Sequence, residues 1–417
     1  MVRPLRAALL AATAALIAAT LSARAEPAPA DPDPKGPDPR NWPAVLAEAR
    51  GQTVYWHAWG GDPTVNAYID WAGTAVSARF GVTVKHVKLS DTAEAVSRVL
   101  GEKAAGRDAG GAVDLIWING ENFAAMKAAD LLFGPWAEAL PNWRFTDPQA
   151  NPALTSDFTV PTEGLEAPWS MAQVVFYYDS ARLPEPPRSM AALGEWIAAH
   201  PGRFTFPQPP DFLGATFLKQ ALYGLTDNPA ALALPEEASD YAAVTAPLWA
   251  WLDAATPNLW RSGRAYPQNG PAQRQLMADA EIDLAISFSP SEASAAIAAQ
   301  ELPDTVRSFV MEGGSIANAS FVAIPYNASA KAGAMVLADF LLSPEAQARK
   351  QDPRVWGMQT VLNVAALPDD ARAAFAALPQ GAATLPPEAL GPTLPEPHPT
   401  WMVRLEDDWA ARFGAGR

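Results

Sequence analysis

Hydrophobic and polar positions along the chain change period again and again. Trp42–Arg50 carries a short helical pattern, and Thr53–Trp59 is strand-like. From Thr64 to Phe80, the apolar residues Val65, Ile69, Ala72, Val76 and Phe80 recur at helical spacing, and Gly81 stops them. Val82–Leu89 alternates as a half-buried strand. Asp91 and Glu94 then form a capping box for a helix whose apolar face is Val96, Val99 and Leu100. Gly106–Gly111 is a turn, Val113–Ile118 a buried strand and Glu121–Ala129 a helix. Strands that alternate with helices predict crossover units on a mostly parallel sheet.

The pattern pauses over residues 134–168, which are rich in Pro, Trp and Asn. Met171–Tyr178 reads as one strong strand, and a second alternating run follows. It predicts helices at Met190–Ala199, Gly214–Leu225, Tyr241–Ala254, Gln273–Ala280 and Ser291–Gln300, with strands at Arg203–Phe206 and Ile282–Phe288. Val306–Met311 and Ala319–Ile324 are strands, Ala330–Leu342 is a helix, and the tail is helical and Pro-rich.

At four places a strand ends in small or polar residues and a helix begins at once. They are Trp59–Asp62, Asn119–Asn122, Pro207–Phe212 and Ser287–Ser291, two in each α/β block. In open α/β sheets ligands sit beyond the carboxyl ends of the strands, where a first helix turn offers free N–H groups. If the blocks are lobes around a cleft, the junctions face each other across it. Such residues are also ordinary helix caps, so no single junction decides the matter. Trp59 adds weight, because a turn does not need a large aromatic before Gly-Gly; Trp169 invites the same reading as a stacking platform.

Composition narrows the picture. A chain of 417 residues, 49% hydrophobic and 18% charged, packs a sizeable core in more than one domain or lobe. Arg3 and Arg6, the apolar run Ala7–Leu21 and Ala23-Arg24-Ala25 make residues 1–25 a secretory signal peptide, too short for a membrane span. Residues 26–51 are a Pro-rich leader with a short helix. The absence of cysteine excludes thiol catalysis, disulfides, cysteine-bound zinc and a lipidated N-terminal cysteine, which leaves the protein free in the periplasm. A net charge of −15 argues against nucleic acid and anionic lipid and leans toward a cationic or neutral ligand.

Enzyme motifs are missing. There is no G-x-G-x-x-G, no P-loop and no H-E-x-x-H, and His57, His86, His200 and His398 are scattered. Gly313–Ala317 is close to a nucleophile elbow, but a strand follows where a helix is needed. Tyr177 and Tyr178 are adjacent in a strand, so they point to opposite faces and cannot chelate a metal together.

The stretches WGGDPTVNAYIDW, HVKLSDTAEAVSRV, DLIWINGENFAAMK, FTVPTEGLEAPWSMAQVVFYYD and FVAIPYNASAKAGAMVLADFLLSPEAQ resemble the YnjB family of ABC-transporter solute-binding proteins. The resemblance runs from Thr53 to near the C-terminus. It implies an α/β, two-lobed type II periplasmic-binding fold with a hinge of crossing strands. It implies an inner-membrane permease and a cytoplasmic ATPase as partners, and among the ligands attached to such proteins are thiamine-like cations, polyamines and iron. The chain lacks an obvious His/Tyr/carboxylate iron set.

The expected organisation is lobe 1 at 52–170 with a return segment at 316–350, lobe 2 at 176–312, and C-terminal helices at 351–417 bracing the hinge. The expected ligand contacts are Trp59, Asp62, Asn119, Glu121 and Asn122 from lobe 1, Trp169 and Gln173 at the crossing, and Phe212, Ser289 and Ser291 from lobe 2. Tryptophan stacks, carboxylates neutralise a cation, and Ser and Asn orient it. No catalytic residue, cofactor or metal is expected, nor nucleic-acid binding or membrane insertion, and the protein is expected to be a monomer. The alternatives are a secreted polysaccharide hydrolase with a carboxylate pair in the cleft, and a non-transport envelope scaffold.

Overall fold

The computed structural model describes residues 36–386 and 389–414. The proposed signal peptide lies outside them.

The first block follows the sequence pattern closely. Helix α1 (Trp42–Ala49) leads into β1 (Thr53–Trp59), α2 (Pro63–Phe80), β2 (Thr83–Leu89), α3 (Ala93–Ala104), β3 (Leu115–Ile118) and α4 (Glu121–Ala128). Gly81 ends α2 in the left-handed region at φ 69°, a conformation in which a side chain is strained. The capping box at α3 forms: Glu94 accepts the N–H of Asp91 at 3.1 Å, and Asp91 accepts that of Ala93 at 2.7 Å.

The hairpin β4 (Ser156–Asp157) and β5 (Val160–Pro161) precedes β6 (Glu166–Gln173) and β7 (Val175–Asp179). The strand expected as one piece, Met171–Tyr178, is therefore two. It breaks at Val174, where the chain leaves one sheet for another, and Val174 donates its N–H to Ile316 O at 2.9 Å. Then come α5 (Met190–Ala199), α6 (Phe212–Leu225), α7 (Tyr241–Ala255), α8 (Gly270–Ala278), β8 (Leu284–Ser287), α9 (Glu292–Ala298) and β9 (Val306–Phe309). The strand expected at Arg203–Phe206 is reduced to a single bridge between Phe204 and Leu284; Pro207, with no N–H to give, ends the run. The chain closes with β10 (Ser315–Ala323), α10 (Lys331–Leu341), α11 (Pro344–Gln351), α12 (Asp369–Ala376), β11 (Thr393–Leu394) and α13 (Pro399–Phe413).

Among the described residues the larger sheet runs β11-β10-β3-β1-β2, with β6 also paired to β10. Its β1–β2 and β1–β3 pairs are parallel, whereas β10 is antiparallel to both β3 and β6. The smaller sheet is β8-β7-β9, all antiparallel. Each sheet has its own core: Trp56, Ile116, Phe123 and Phe321 in the first lobe, Phe176, Phe206, Phe217 and Leu248 in the second. The chain passes between the lobes at Gln173–Val175, at Met311–Ile316 and again in the tail beyond Phe375, and the second passage contains the segment that resembled a nucleophile elbow. The tail divides between the lobes. Val361, Leu367 and Phe375 pack on the first core, whereas Trp401, Leu405 and Trp409 of α13 pack into the second.

Candidate ligand-binding site

Both lobes turn strand ends toward one seam. At the first junction, Gly60 and Gly61 are demanded by packing. A Cβ on Gly61 would lie 2.4 Å from the Trp59 ring, and one on Gly60 2.6 Å from Lys88. The half-buried Trp59 indole is therefore folded over its own turn. Asp62 caps α2, accepting the Thr64 N–H at 2.6 Å, and its other oxygen lies 3.6 Å from the Arg274 guanidinium of α8. That pair spans the lobes. Arg274 also meets Glu292 at 2.7 Å and Glu301 at 3.1 Å. Burial works against its charge, and Glu292 more than offsets this, so its pKa is raised. Asp62, Thr64, Arg274, Ser289, Glu292 and Trp356 line a cavity of about 260 Å³.

At the second junction Gly120 has φ 65° and donates its N–H to Asp157 Oδ2 at 2.7 Å. Asn119 is half-buried beside it. Glu121 follows, with Oε1 accepting from Asn122 Nδ2 at 2.7 Å. Burial raises its carboxyl to about 7; Asp91 and Glu396 push the same way, against Lys219. Phe158, from the β4–β5 hairpin, lies under Gly120 and reaches across the seam to Phe212, with ring centroids 6.0 Å apart.

On the second lobe, Asp211 caps α6, accepting from Leu213 at 3.0 Å and Gly214 at 3.2 Å, and burial raises it to about 6. Phe212 stands on Phe288, centroids 5.2 Å apart, which links this junction to the one after β8. There Ser289 donates its hydroxyl to Gly357 O at 2.9 Å and accepts the Ser291 N–H at 3.4 Å. Ser289 and Ser291 are both buried, and Ser289 is a wall of the cavity.

Two expected contacts are placed elsewhere. Trp169 is fully buried, wedged among Trp56, Tyr68, Trp117 and Trp356 at centroid distances of 4.9–6.3 Å. It is a core residue of the first lobe and not a stacking platform, because β6 turns that side chain inward. Gln173 is buried at the crossing, where its side chain donates to Leu390 O at 2.9 Å and its backbone to Phe288 O at 3.0 Å. It ties the lobes together.

Sequence reasoning missed the charged groups behind the seam. Lys219 of α6 is wholly buried, 2.6 Å from Glu396, and its ammonium lies 4.3 Å from the Phe158 ring centre and 5.1 Å from that of Phe212. Glu396 also accepts from Asn318 at 2.6 Å. The signal was available: a lone lysine in the apolar helix FLGATFLKQALYGL must find a counter-charge. Glu406, from α13 where that helix packs on α4, is raised to about 8 by burial and then by Glu121. Tyr177 and Tyr178 face different cores, as their adjacency requires. Among the described residues no cluster of three or more His, Asp or Glu is placed to hold a metal, and no helix is long and apolar enough to cross a membrane.

Residues 71–379 match the family model described as bacterial extracellular solute-binding protein. The chain belongs to that family. Protein YnjB of Escherichia coli strain K12 is 44% identical over 374 residues, covering 90% of this chain and 94% of that one. Solved structures share the fold at low identity. The periplasmic binding protein AfuA of Actinobacillus pleuropneumoniae has a TM-score of 0.62 at 14% identity, over 88% of this chain and 99% of that one. The spermidine/putrescine substrate-binding protein PotD of Streptococcus pneumoniae gives 0.59 at 16%, over 87% and 98%. The ferric ion-binding protein A of Pasteurella haemolytica gives 0.58 at 13%, over 85% and 97%. The fold is thus the two-lobed type II periplasmic-binding fold, and by its family the protein is an extracellular solute-binding protein. The family is one of solute-binding proteins, and the three solved structures named are themselves binding proteins.

Proposed function

We propose that the protein works in the periplasm, captures a small cationic solute between its lobes and delivers it to an inner-membrane permease driven by a cytoplasmic ATPase. The neighbours' names cover sugar phosphate, polyamine and iron, so the ligand class rests on the seam itself. The observation that carries it is the concentration of carboxyl groups there: Glu121, Asp157, Glu396 and Glu406 gather around the ammonium of Lys219, with Asp91 beside Glu121 and Glu406. A cation favours the ionised form of these burial-raised carboxyls, whereas an anion opposes it. Trp59, Asp62, Asn119, Glu121, Asn122 and Phe212 are the sequence-chosen residues best placed to contact the solute. Trp59 supplies an aromatic face, and Ser289 shapes the cavity wall. Solute that touches both lobes favours the closed state, and the passages at Val174 and Met311–Ile316 absorb the movement. The N-terminal signal accounts for export, and the protein acts as a monomer.

A thermal-shift screen against amines, vitamins, sugars and ferric chelates tests this reading. Solute at 100 times its dissociation constant adds about 2.7 kcal/mol, a shift of a few degrees. A saturable shift with a cation, reduced in Trp59→Ala, is the expected result. A shift with a sugar or chelate alone overturns the cationic reading and leaves the family assignment in place.

A further inference from the structure

The cavity of about 260 Å³ has one wall from each lobe. Asp62 and Trp356 belong to the first lobe; Arg274, Glu292, Glu301 and the Ala295 face of α9 belong to the second. Arg274 enters the cavity clamped at two points. Its Nε donates to Glu301 at 3.1 Å and its Nη1 to Glu292 at 2.7 Å. Glu292 is fixed in turn, because its other oxygen accepts from the Ser287 hydroxyl. Among the described residues the third nitrogen, Nη2, makes no hydrogen bond. It faces Asp62 Oδ2 at 3.6 Å, beyond the reach of about 3.2 Å of an N–H···O bond. Asp62 is left in the same condition: Oδ1 takes the Thr64 N–H at 2.6 Å, and Oδ2 accepts no hydrogen bond. The other guanidinium on the wall, that of Arg354, is already engaged by Asp352 at 2.7 Å.

A donor edge and an acceptor oxygen at this spacing admit a third group that serves both. An ammonium only donates, and a carboxylate only accepts. A hydroxyl does both at a single atom. Trp356 supplies an apolar surface beside the pair for the carbon that bears such a group. Its ring is braced by Tyr68, Trp117 and Trp169 at centroid distances of 5.4–5.9 Å, so that wall is rigid.

We propose that Arg274 Nη2 and Asp62 Oδ2 bind a hydroxyl of the solute, which accepts from the guanidinium and donates to the carboxylate, with its carbon chain against Trp356. The solute is then a hydroxylated cation, an amino alcohol or a quaternary ammonium alcohol. The proposal rests on the cationic reading above and narrows it: the charge is met at the carboxyl-rich seam and the hydroxyl in the cavity. Arg274 sets the specificity, and Glu292 and Glu301 are positioning residues that keep its Nη2 edge turned to Asp62. Since the two partners come from different lobes, the hydroxyl replaces a loose ion pair with two charge-assisted hydrogen bonds that span the cleft.

The test is calorimetric titration of the purified protein with matched pairs in which a methyl group replaces the hydroxyl: 4-amino-1-butanol with pentylamine, and choline with trimethylpropylammonium. Inositol is the uncharged polyol alongside them. At least one hydroxylated cation is expected to bind saturably and about tenfold tighter than its methyl partner, the cost of leaving both charged groups without a hydrogen bond. That comparison uses the unmodified chain and does not depend on any variant folding. Arg274→Lys keeps a positive charge between Glu292 and Glu301 but lacks the fork. It is expected to bring the hydroxylated cation down to the affinity of its methyl partner and to leave that partner unchanged. Methyl partners that bind as tightly as the hydroxylated cations, or tighter, overturn the subsite and spare the cationic reading. So does a hydroxyl preference that survives in an Arg274→Lys protein with native circular dichroism. Binding of inositol alone, lost in Arg274→Lys, overturns the cationic reading and leaves the subsite in place. Titrations silent with every hydroxylated compound overturn the subsite.

Discussion

Burial lifts the carboxyl of Glu121 to about 7 and that of Glu406 to about 8, and each carries the other's charge or that of Asp91 as a further cause. Both values exceed that of an unfolded glutamate, about 4.3. A carboxyl raised on folding binds its proton more tightly in the folded state. Its stabilising contribution is complete below the unfolded value and is lost as the pH climbs through the folded one. The difference in melting temperature between Glu406→Gln and the unaltered protein should therefore grow in favour of the variant from pH 5 to pH 9. Scanning fluorimetry across that range checks it, and a difference that does not move with pH sinks the assignment. For a cationic solute the same titration runs the other way, since binding expels the protons and affinity rises with pH over that window. At this scale the sequence was an uneven guide. Asp62, Glu121 and Phe212 were legible because each sits where a strand period gives way to a helix period. Trp169 misled because a tryptophan before a strand looks the same whether its ring faces the cleft or the core.

Elements were easier to read than the pairings between them. The helical and alternating periods located α2, α3, α6 and β1–β3, and Gly81 and the Asp91–Glu94 box set their ends. Periodicity says nothing about which distant segments meet, however. Lys219 and Glu396 are 177 positions apart, and Asp62 and Arg274 come from different lobes, so both pairs were out of reach. The Lys219–Glu396 pair ties α6 to the irregular stretch after β11, and Asn318 of β10 completes it. Removing one partner of a buried pair leaves the other uncompensated, at about 3–5 kcal/mol. Lys219→Met should lose about that much in urea unfolding, and Lys219→Met combined with Glu396→Gln should regain more than half of it. A double variant no better than the single one would show that the ammonium matters for its packing against Phe158 and Phe212 rather than for its charge.

The lobes of the whole molecule are held together by contacts of the chain's own making. Asp62 meets Arg274, Phe158 meets Phe212, and α13 leans on α4. These are the same surfaces a solute would bridge, so closure is already partly stabilised before solute arrives, and a solute need add only the remainder. Asp62 allows that stabilisation to be measured. Its Oδ1 caps α2, while its Oδ2 faces Arg274. Asparagine caps a helix about as well as aspartate, so Asp62→Asn keeps the cap and removes the charge that pairs across the lobes. Arg274 retains Glu292 and Glu301, so it is not left alone. Unfolding stability is then expected to change by no more than about 0.5 kcal/mol, as for a substitution that breaks no cap or core contact. The solute-free variant is expected to have a larger radius of gyration in small-angle scattering than the unaltered protein. With saturating solute the two should converge, since ligand energy replaces the missing pair. If the radii of the two solute-free proteins coincide, the ion pair does not bias the lobes, and closure rests on the aromatic and helix contacts alone.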